Sequence, residues 1–447
     1  MTKDKLAILV IFALAATVGF LLGGNKSGSG GGEGADAPVA ASQAAPAVRL
    51  AGQFRGIALQ LQNGSPSHPY EQYIDEIAAT GANAVCLIVP AYQENASSTS
   101  IFIEARKAPS DERVAKLIDY AHKRGLRVLF MPIVLLENAK EDEWRGKIGA
   151  KDWTSTQTDD WWERYADLVL HYAQICQQTK AEVFMVGSEL ISLETSEDRW
   201  RDLIAQVRQA YKGMLSYSAN WDHYKPVKFW DALDIIGMTT YYDLTGGKPV
   251  TLETLMDSWK PIKKEILDWQ SKIGKPLIFT EVGWPNQVTC AQYPWDYYRS
   301  MEKPDTKAQA LCYEAFFKTW IDEKAAGGFL VWEWRNYPEQ KIGPEDTSYV
   351  PCGKPCLKVI EKYFAMPDPW QTASRPAAES RPGNGGPPLA ARGDRLVPAE
   401  NAGPAKPAPI HDPQPGAAET KGGSSPSSGS DGGPEEPRPD MSGADQE

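Results

Sequence analysis

The sequence predicts an α/β fold, a single (β/α)8 TIM barrel, on three observations. Between Arg49 and Met366, eight short β-rich runs alternate with amphipathic helical stretches. No glycine-rich phosphate loop follows the first run, where an open doubly wound sheet would carry one; Gly64 stands alone after Leu61. Several runs end in a carboxylate, an amide or an aromatic, which a barrel collects at the C-terminal mouth of its strands.

The first strand is Phe54–Leu61, and a helix over Tyr70–Thr80 stops at Gly81, a residue suited to a left-handed cap. Ala84–Val89 is the second strand. Ser110-Asp-Glu-Arg113 opens the next helix with a capping hydroxyl and acids in the first turn. Val114, Leu117, Ile118 and Ala121 form its apolar face before Gly125 ends it. Arg127–Met131 is the third strand, stopped by Pro132. Thr158-Asp-Asp160 begins a long helix with Tyr165, Leu168, Val169 and Tyr172 at helical spacing. Glu182–Gly187 is the fourth strand and runs on to Glu189. A helix over Asp198–Tyr211 leads to the fifth strand, Gly213–Ala219, followed by Asn220 and Trp221. Leu233–Thr239 is the sixth, followed by Tyr241. Leu252–Ile273 is a helix, Pro276–Glu281 the seventh strand, Thr306–Ala326 a helix and Gly328–Trp332 the eighth strand.

The flanks of the barrel differ in kind. Residues 1–24 join a basic start, Met1-Thr-Lys-Asp-Lys5, to an uncharged apolar run from Leu6 to Gly23. This reads as a signal-anchor that leaves the rest of the chain outside the cytoplasm, in the periplasm or at the cell surface; cleavage would give a secreted protein. Residues 25–48 form a Gly/Ser/Ala-rich tether, and residues 49–366 are the barrel. Residues 367–447, rich in Pro, Gly, Ala and Ser, have too little apolar surface to offset ordering entropy, so a disordered tail is expected. The net charge of −11 argues against nucleic acid and anionic headgroups as partners, leaving the anchor as the one membrane contact. Six cysteines and five histidines offer no zinc-type spacing, so neither metal nor cofactor is expected. Cys86 and Cys176 fall in apolar strand and helix patterns and read as buried thiols. Cys290, Cys352 and Cys356 lie near loops, where an oxidising compartment allows a disulfide.

The strand ends gather a chemistry. Glu189 follows the fourth strand, Asn220 and Trp221 the fifth, Tyr241 the sixth, and Trp284 the seventh, which itself ends in Glu281; Trp332 ends the eighth, just before Glu333. A carboxylate at the end of a buried strand costs stability unless it is paired or used. Two of them suit glycoside hydrolysis, in which one carboxyl protonates the leaving oxygen and the other attacks or activates water. Fourteen of the fifteen tryptophans lie between Trp144 and Trp334, so flat surfaces for pyranose rings are concentrated in the barrel. Strand alternation puts Leu277, Phe279 and Glu281 on one face, and Met185, Gly187 and Glu189 on one face, aiming both acids into the mouth. The alternative is a non-catalytic barrel that binds glycan in cell-envelope or exopolysaccharide organisation. Glu281 separates the two readings, because binding alone needs no second acid there.

These motifs resemble a known family. Met185-Val-Gly-Ser-Glu189 and Ile278-Phe-Thr-Glu-Val-Gly-Trp284 are similar to the acid/base and nucleophile motifs of clan A glycoside hydrolases, especially family 113, the bacterial β-mannanase-like group. Trp144-Arg-Gly146, Tyr217-Ser-Ala-Asn-Trp221, Trp332-Glu-Trp334 and Gly353-Lys-Pro355 extend the resemblance in the right order over residues 50–365. It implies a retaining enzyme acting on a β-linked polysaccharide or oligosaccharide, with β-mannan or glucomannan first. Glu189 would be the acid/base, Glu281 the nucleophile, Tyr241 a hydrogen-bond donor to it and Trp332 the floor of the sugar subsite at the scissile bond. Burial and the Glu281 charge would keep the proton on Glu189, and Tyr241 would keep Glu281 ionised. Asn220, Trp221 and Trp284 are the remaining candidates for sugar contact. At the third strand Met131-Pro-Ile133 stands where mannanase members carry a polar Lys-Pro-His-like run, so the resemblance bears more on the reaction than on the sugar.

Overall fold

Alternating apolar side chains on eight strands build two shells, one inside a closed barrel and one between the barrel and its helices. The computed structural model describes residues 50–149, 153–296 and 303–370. The anchor and the tether expected from the sequence lie outside these residues, as does the tail beyond Trp370. The strands are β1 (Phe54–Gln60), β2 (Ala84–Gln93), β3 (Arg127–Leu136), β4 (Val183–Ser188), β5 (Met214–Ala219), β6 (Ile236–Thr239), β7 (Leu277–Val282) and β8 (Ala326–Val331). They pair in sequence order, every pair parallel, and β8 closes on β1. The helices are α1 (Tyr70–Ala79), α2 (Asp111–Lys123), α3 (Ser155–Thr179), α4 (Glu197–Ala210), α5 (Leu252–Ile273), α6 (Thr306–Trp320) and α7 (Pro355–Phe364). The (β/α)8 barrel is therefore the fold. Among the described residues, no helix is long and apolar enough to cross a membrane.

Inside the barrel, Phe54, Ala58, Ile88, Met131, Met185, Ile278 and Leu330 form one buried cluster. Their strand neighbours point the other way: Phe130 meets Tyr172 of α3 at 5.4 Å, and Phe279 meets Trp320 of α6 at 4.6 Å. Between β5 and β6 a short 3₁₀ turn, Trp230–Ala232, stands where the repeat would put a helix. Aromatic packing covers that gap, with Phe229 stacked on Trp200 of α4 at 5.0 Å. Trp200 is fully buried and also meets Trp162 and Tyr217, each at 5.1 Å. Trp200→Ala is expected to cost about 3–5 kcal/mol, the range for emptying a large aromatic site, as a lower urea midpoint in equilibrium unfolding.

Several boundaries differ from the sequence reading, each for a local reason. β2 and β3 run past Val89 and Met131 because their ladder stays in register from Ala84↔Arg127 to Gln93↔Leu136, through Pro90 and Pro132. α3 starts at Ser155 and not at Thr158, because Thr154 and Gln157 close a reciprocal capping box. α6 ends at Trp320, and Ala326 already belongs to β8. α7, absent from the sequence reading, starts with Pro355 in its first turn.

The N-terminal end of the barrel is sealed. Arg55 donates to the carbonyls of Tyr363, Phe364 and Pro367 at 3.3, 3.1 and 3.0 Å, satisfying the last carbonyls of α7 and the chain beyond it. Trp370 Nε1 adds a bond to the Ala326 carbonyl at 3.2 Å. The open end of the barrel is thus the mouth at the C-terminal ends of the strands.

Candidate active site

Two strand irregularities aim the acids. In β4 the register against β5 shifts between Met185 and Ser188, and Glu189 just beyond has a left-handed φ of 50°. The Glu189 N–H donates to the Ser218 carbonyl at 2.8 Å. Gly187 permits the tight path, since a Cβ there would lie 2.8 Å from the Tyr165 hydroxyl and 2.9 Å from the Trp200 ring. In β7 the register against β8 shifts between Phe279 and Val282. The inward residues of β7 are Ile278 and Thr280, the latter bonded to Ser218 Oγ at 2.7 Å. Leu277 and Phe279 face the helices, and the irregularity brings Glu281 to the mouth. The alternation expected from the sequence therefore fails at both acids; Gly187 also points its open side toward the helices.

One guanidinium joins the two acids. Arg145, on the loop after β3, bonds Glu189 Oε2 through Nη2, and the same nitrogen is 3.7 Å from Glu281 Oε1. Tyr241 donates to Glu281 Oε2 at 2.6 Å. Both acids are buried, Glu189 at 5% and Glu281 at 2% exposure, so their charges interact in a poorly screened environment. Burial first, then the Glu189 charge, push Glu281 up to about 8, against the pull of Arg145 and the Tyr241 hydrogen bond. Burial pulls Arg145 down, but the Glu189 and Glu281 charges outweigh it and raise it. The sequence reading lets burial and a neighbouring charge act on Glu189; here they act on Glu281, and Arg145 bonds Glu189.

The remaining sequence candidates divide. Trp332 is half-buried against the inner cluster, and its N–H donates to the Val282 carbonyl at 2.9 Å, beside the Glu281 strand. The Trp332-Glu333 peptide is cis. Asn220 accepts from Thr239 Oγ1 at 3.3 Å and donates to Asp222 at 2.8 Å. Trp221 is half-buried and lies nearly parallel to the exposed Trp295 at 6.0 Å. Trp284 does not join them. It is fully buried against Tyr313 and Phe316 of α6, at 5.1 and 6.2 Å, and is a core residue with no face for sugar. The disulfide is also absent: all six cysteines are free and buried, and the Cys356 thiol donates to Gln309 Oε1 at 3.2 Å. Among the described residues, no group of three or more His, Cys, Asp or Glu could hold a metal ion.

A family model for glycoside hydrolase family 113 matches residues 64–354. This chain belongs to glycoside hydrolase family 113. Among solved structures, a complex of a GH113 β-1,4-mannanase is 28% identical, covering 70% of this chain and 99% of its own, with a TM-score of 0.62. The GH113 β-mannanase AaManA from Alicyclobacillus acidocaldarius, in complex with ManMIm, is 29% identical, covering 70% of this chain and 97% of its own, with a TM-score of 0.61. A search of curated proteins found no match.

In this family 113 chain the largest omission of the sequence reading is Arg145. Its signal lay in Trp144-Arg-Gly146: a Cβ at Gly146 would come within 2.4 Å of the Trp144 ring, so the loop is folded tightly around the arginine. A second omission is a run of amides on the β1 and β8 side. Asn336 donates to Gln62, Gln62 to Gln60, and Gln60 to Glu333 Oε2 at 2.5 Å. Burial pushes Glu333 up to about 7, against the Gln60 hydrogen bond. Gln60 is the last residue of β1 and Glu281 the last but one of β7, and a polar side chain at a strand end was the legible signal.

Proposed function

We propose that this family 113 glycoside hydrolase is a retaining enzyme that cleaves a β-linked mannan-type polysaccharide or oligosaccharide, with Glu281 as nucleophile and Glu189 as acid/base. The observation that carries the reading is the single Arg145 nitrogen reached by both acids at the ends of β4 and β7. Because one nitrogen reaches both, the nearest oxygens of the two acids lie within about 6 Å of each other, which supports the ~5–5.5 Å of a retaining pair over the ~6.5–9.5 Å that an inverting pair leaves for its water. In the first step Glu189 gives its proton to the glycosidic oxygen as the Glu281 carboxylate bonds the anomeric carbon and the C–O bond breaks. In the second, Glu189 takes a proton from water, whose oxygen displaces Glu281 with net retention. Among the described residues the Arg145 bond falls on Glu189 Oε2 and no hydrogen bond reaches Oε1, which leaves that oxygen to carry the proton.

The mannan assignment is supported by the β-mannanase relatives at 28–29% identity. Met131 and Ile133 in β3 belong to the apolar inner cluster, so polar recognition rests on Gln60, Gln62, Glu333 and Asn336 at the β1 and β8 ends. The test is hydrolysis of mannan, glucomannan, xylan and β-glucan by the purified protein, with the first-formed anomer read by NMR. Mannan or glucomannan turnover with β product first is expected. An α product would overturn retention, and glycan binding without turnover in wild type would favour the binding-only barrel. The extracytoplasmic placement inferred from residues 1–24 rests on the sequence, and protease accessibility in spheroplasts tests it; a fully protected chain would refute it.

Tyr241→Phe removes the hydrogen bond that favours the charge on Glu281 and lets a proton settle there. The expected result is a kcat/KM lower by roughly 10- to 100-fold, with the basic limb of its pH profile displaced upward. Unchanged limbs would remove Tyr241 from the reaction.

A further inference from the structure

Glu194 is a buried carboxyl that the reaction above does not use. It lies just beyond the 3₁₀ turn Ile191–Leu193 that follows Glu189, and is 2% exposed. Its Oε1 accepts from the Tyr217 hydroxyl at 2.7 Å, while Oε2 is buried without a hydrogen-bond partner. An acid so placed loses its hydration and regains one bond, a cost that packing alone gives no reason to bear.

Its effect is felt one bond further on. The Tyr217 hydroxyl, on β5, also accepts the N–H of Leu190 at 2.9 Å. Leu190 is the residue after Glu189, whose left-handed φ of 50° is unfavourable for a side chain bearing Cβ and must be imposed by its surroundings. β5 therefore grips the turn on both sides, through the Ser218 carbonyl on the Glu189 N–H and the Tyr217 hydroxyl on the Leu190 N–H. A phenol hydroxyl rotates freely unless its proton is committed. Glu194 commits it, so a lone pair of the Tyr217 oxygen stays directed at Leu190. The same loop is tied down by Trp200 Nε1 on the Leu193 carbonyl and by Ser192 Oγ on the Gly146 carbonyl, both at 2.9 Å. The second of these reaches the segment that carries Arg145.

We infer that Glu194 and Tyr217 are positioning residues that aim Glu189 at the leaving-group oxygen. The inference rests on the acid/base role proposed for Glu189. The experiment compares kcat/KM of the full chain on two aryl β-mannosides, one with a phenol and one with a 2,4-dinitrophenol leaving group. Phenol needs the proton from Glu189 in the bond-breaking step and dinitrophenol does not. Tyr217→Phe and Glu194→Ala are each expected to lose roughly 10- to 100-fold on the phenyl substrate and less than about 3-fold on the dinitrophenyl one. Glu194→Gln keeps an acceptor for the Tyr217 hydroxyl and should recover most of the phenyl activity. Glu189→Gln is the control, and should show the same split in larger measure. Equal losses on both substrates would reduce Glu194 and Tyr217 to structural residues, and wild-type behaviour in both variants would overturn the inference, with the role of Glu189 intact in either case. A Glu189→Gln variant equal to wild type on both substrates would instead overturn the acid/base assignment, and the inference with it. Should Tyr217→Phe fail to fold, the Glu194→Ala and Glu194→Gln pair decides.

Discussion

Glu281→Gln is expected to lower kcat by roughly 10⁴- to 10⁶-fold while leaving a protein at least as stable as wild type above neutral pH. The two halves have one cause. Glu281 is 2% exposed, and burial followed by the Glu189 charge raises it to about 8. A carboxyl whose folded value lies above its ordinary 4.5 contributes its stability fully below that value. The contribution falls as pH rises, and by about 8 it is gone. Glutamine fills nearly the same space, accepts from Tyr241 through its amide oxygen and never ionises. The advantage of the variant should therefore grow between about pH 4.5 and 8, measured as the difference in urea midpoint at the two ends of that window. Activity disappears because an amide nitrogen or oxygen in place of the carboxylate does not form the glycosyl ester. Inactivation of wild type by a 2-fluoro mannoside should put the label on the peptide containing Glu281, and a label elsewhere would move the nucleophile.

The strands were legible because a parallel barrel buries both their faces, so they read as apolar runs bounded by caps and glycines. The strand ends stood out as candidates because of the cost of a carboxylate at such a place. What escaped depends on geometry that periodicity does not encode. Alternation carries no mark of the irregularities at Met185/Ser188 and Phe279/Val282, and so it pointed Leu277 and Phe279 inward when they face α5 and α6. Trp284 follows Glu281 closely in sequence, but the chain has turned by then and its ring enters the helix layer against Tyr313. Asp159 and Asp160 imitate first-turn acids and concealed the true cap at Thr154. Cys290, Cys352 and Cys356 lie near loops in sequence yet are all buried in apolar packing. Arg145 is the deepest case. It sits in a loop without periodicity, and only the closed barrel brings that loop over the ends of β4 and β7.

Arg145→Ala should cost roughly 10²- to 10³-fold in kcat/KM at neutral pH, and the loss should carry a pH signature. The guanidinium lowers the energy of charge on both acids, with one nitrogen on Glu189 Oε2 and 3.7 Å from Glu281 Oε1. Without it two buried carboxyls face each other with no compensating cation, and Glu281, already near 8, moves higher. The proton on Glu281 is then held more tightly, and the form with a charged Glu281 becomes scarce. The basic limb of kcat/KM should shift upward. Arg145→Lys should restore much of the limb and less of the rate, because an ammonium on a flexible stem supplies charge without the rigid guanidinium plane that fixes one N–H donor between the acids. Stability has the matching sign: while Glu281 stays protonated, it gains nothing from the buried cation, so removing Arg145 costs little on its account. As pH rises toward 8 and Glu281 ionises, the variant loses stability more steeply than wild type. A rate loss with unmoved limbs and parallel stability curves would mean that Arg145 acts on the sugar and not on the acids.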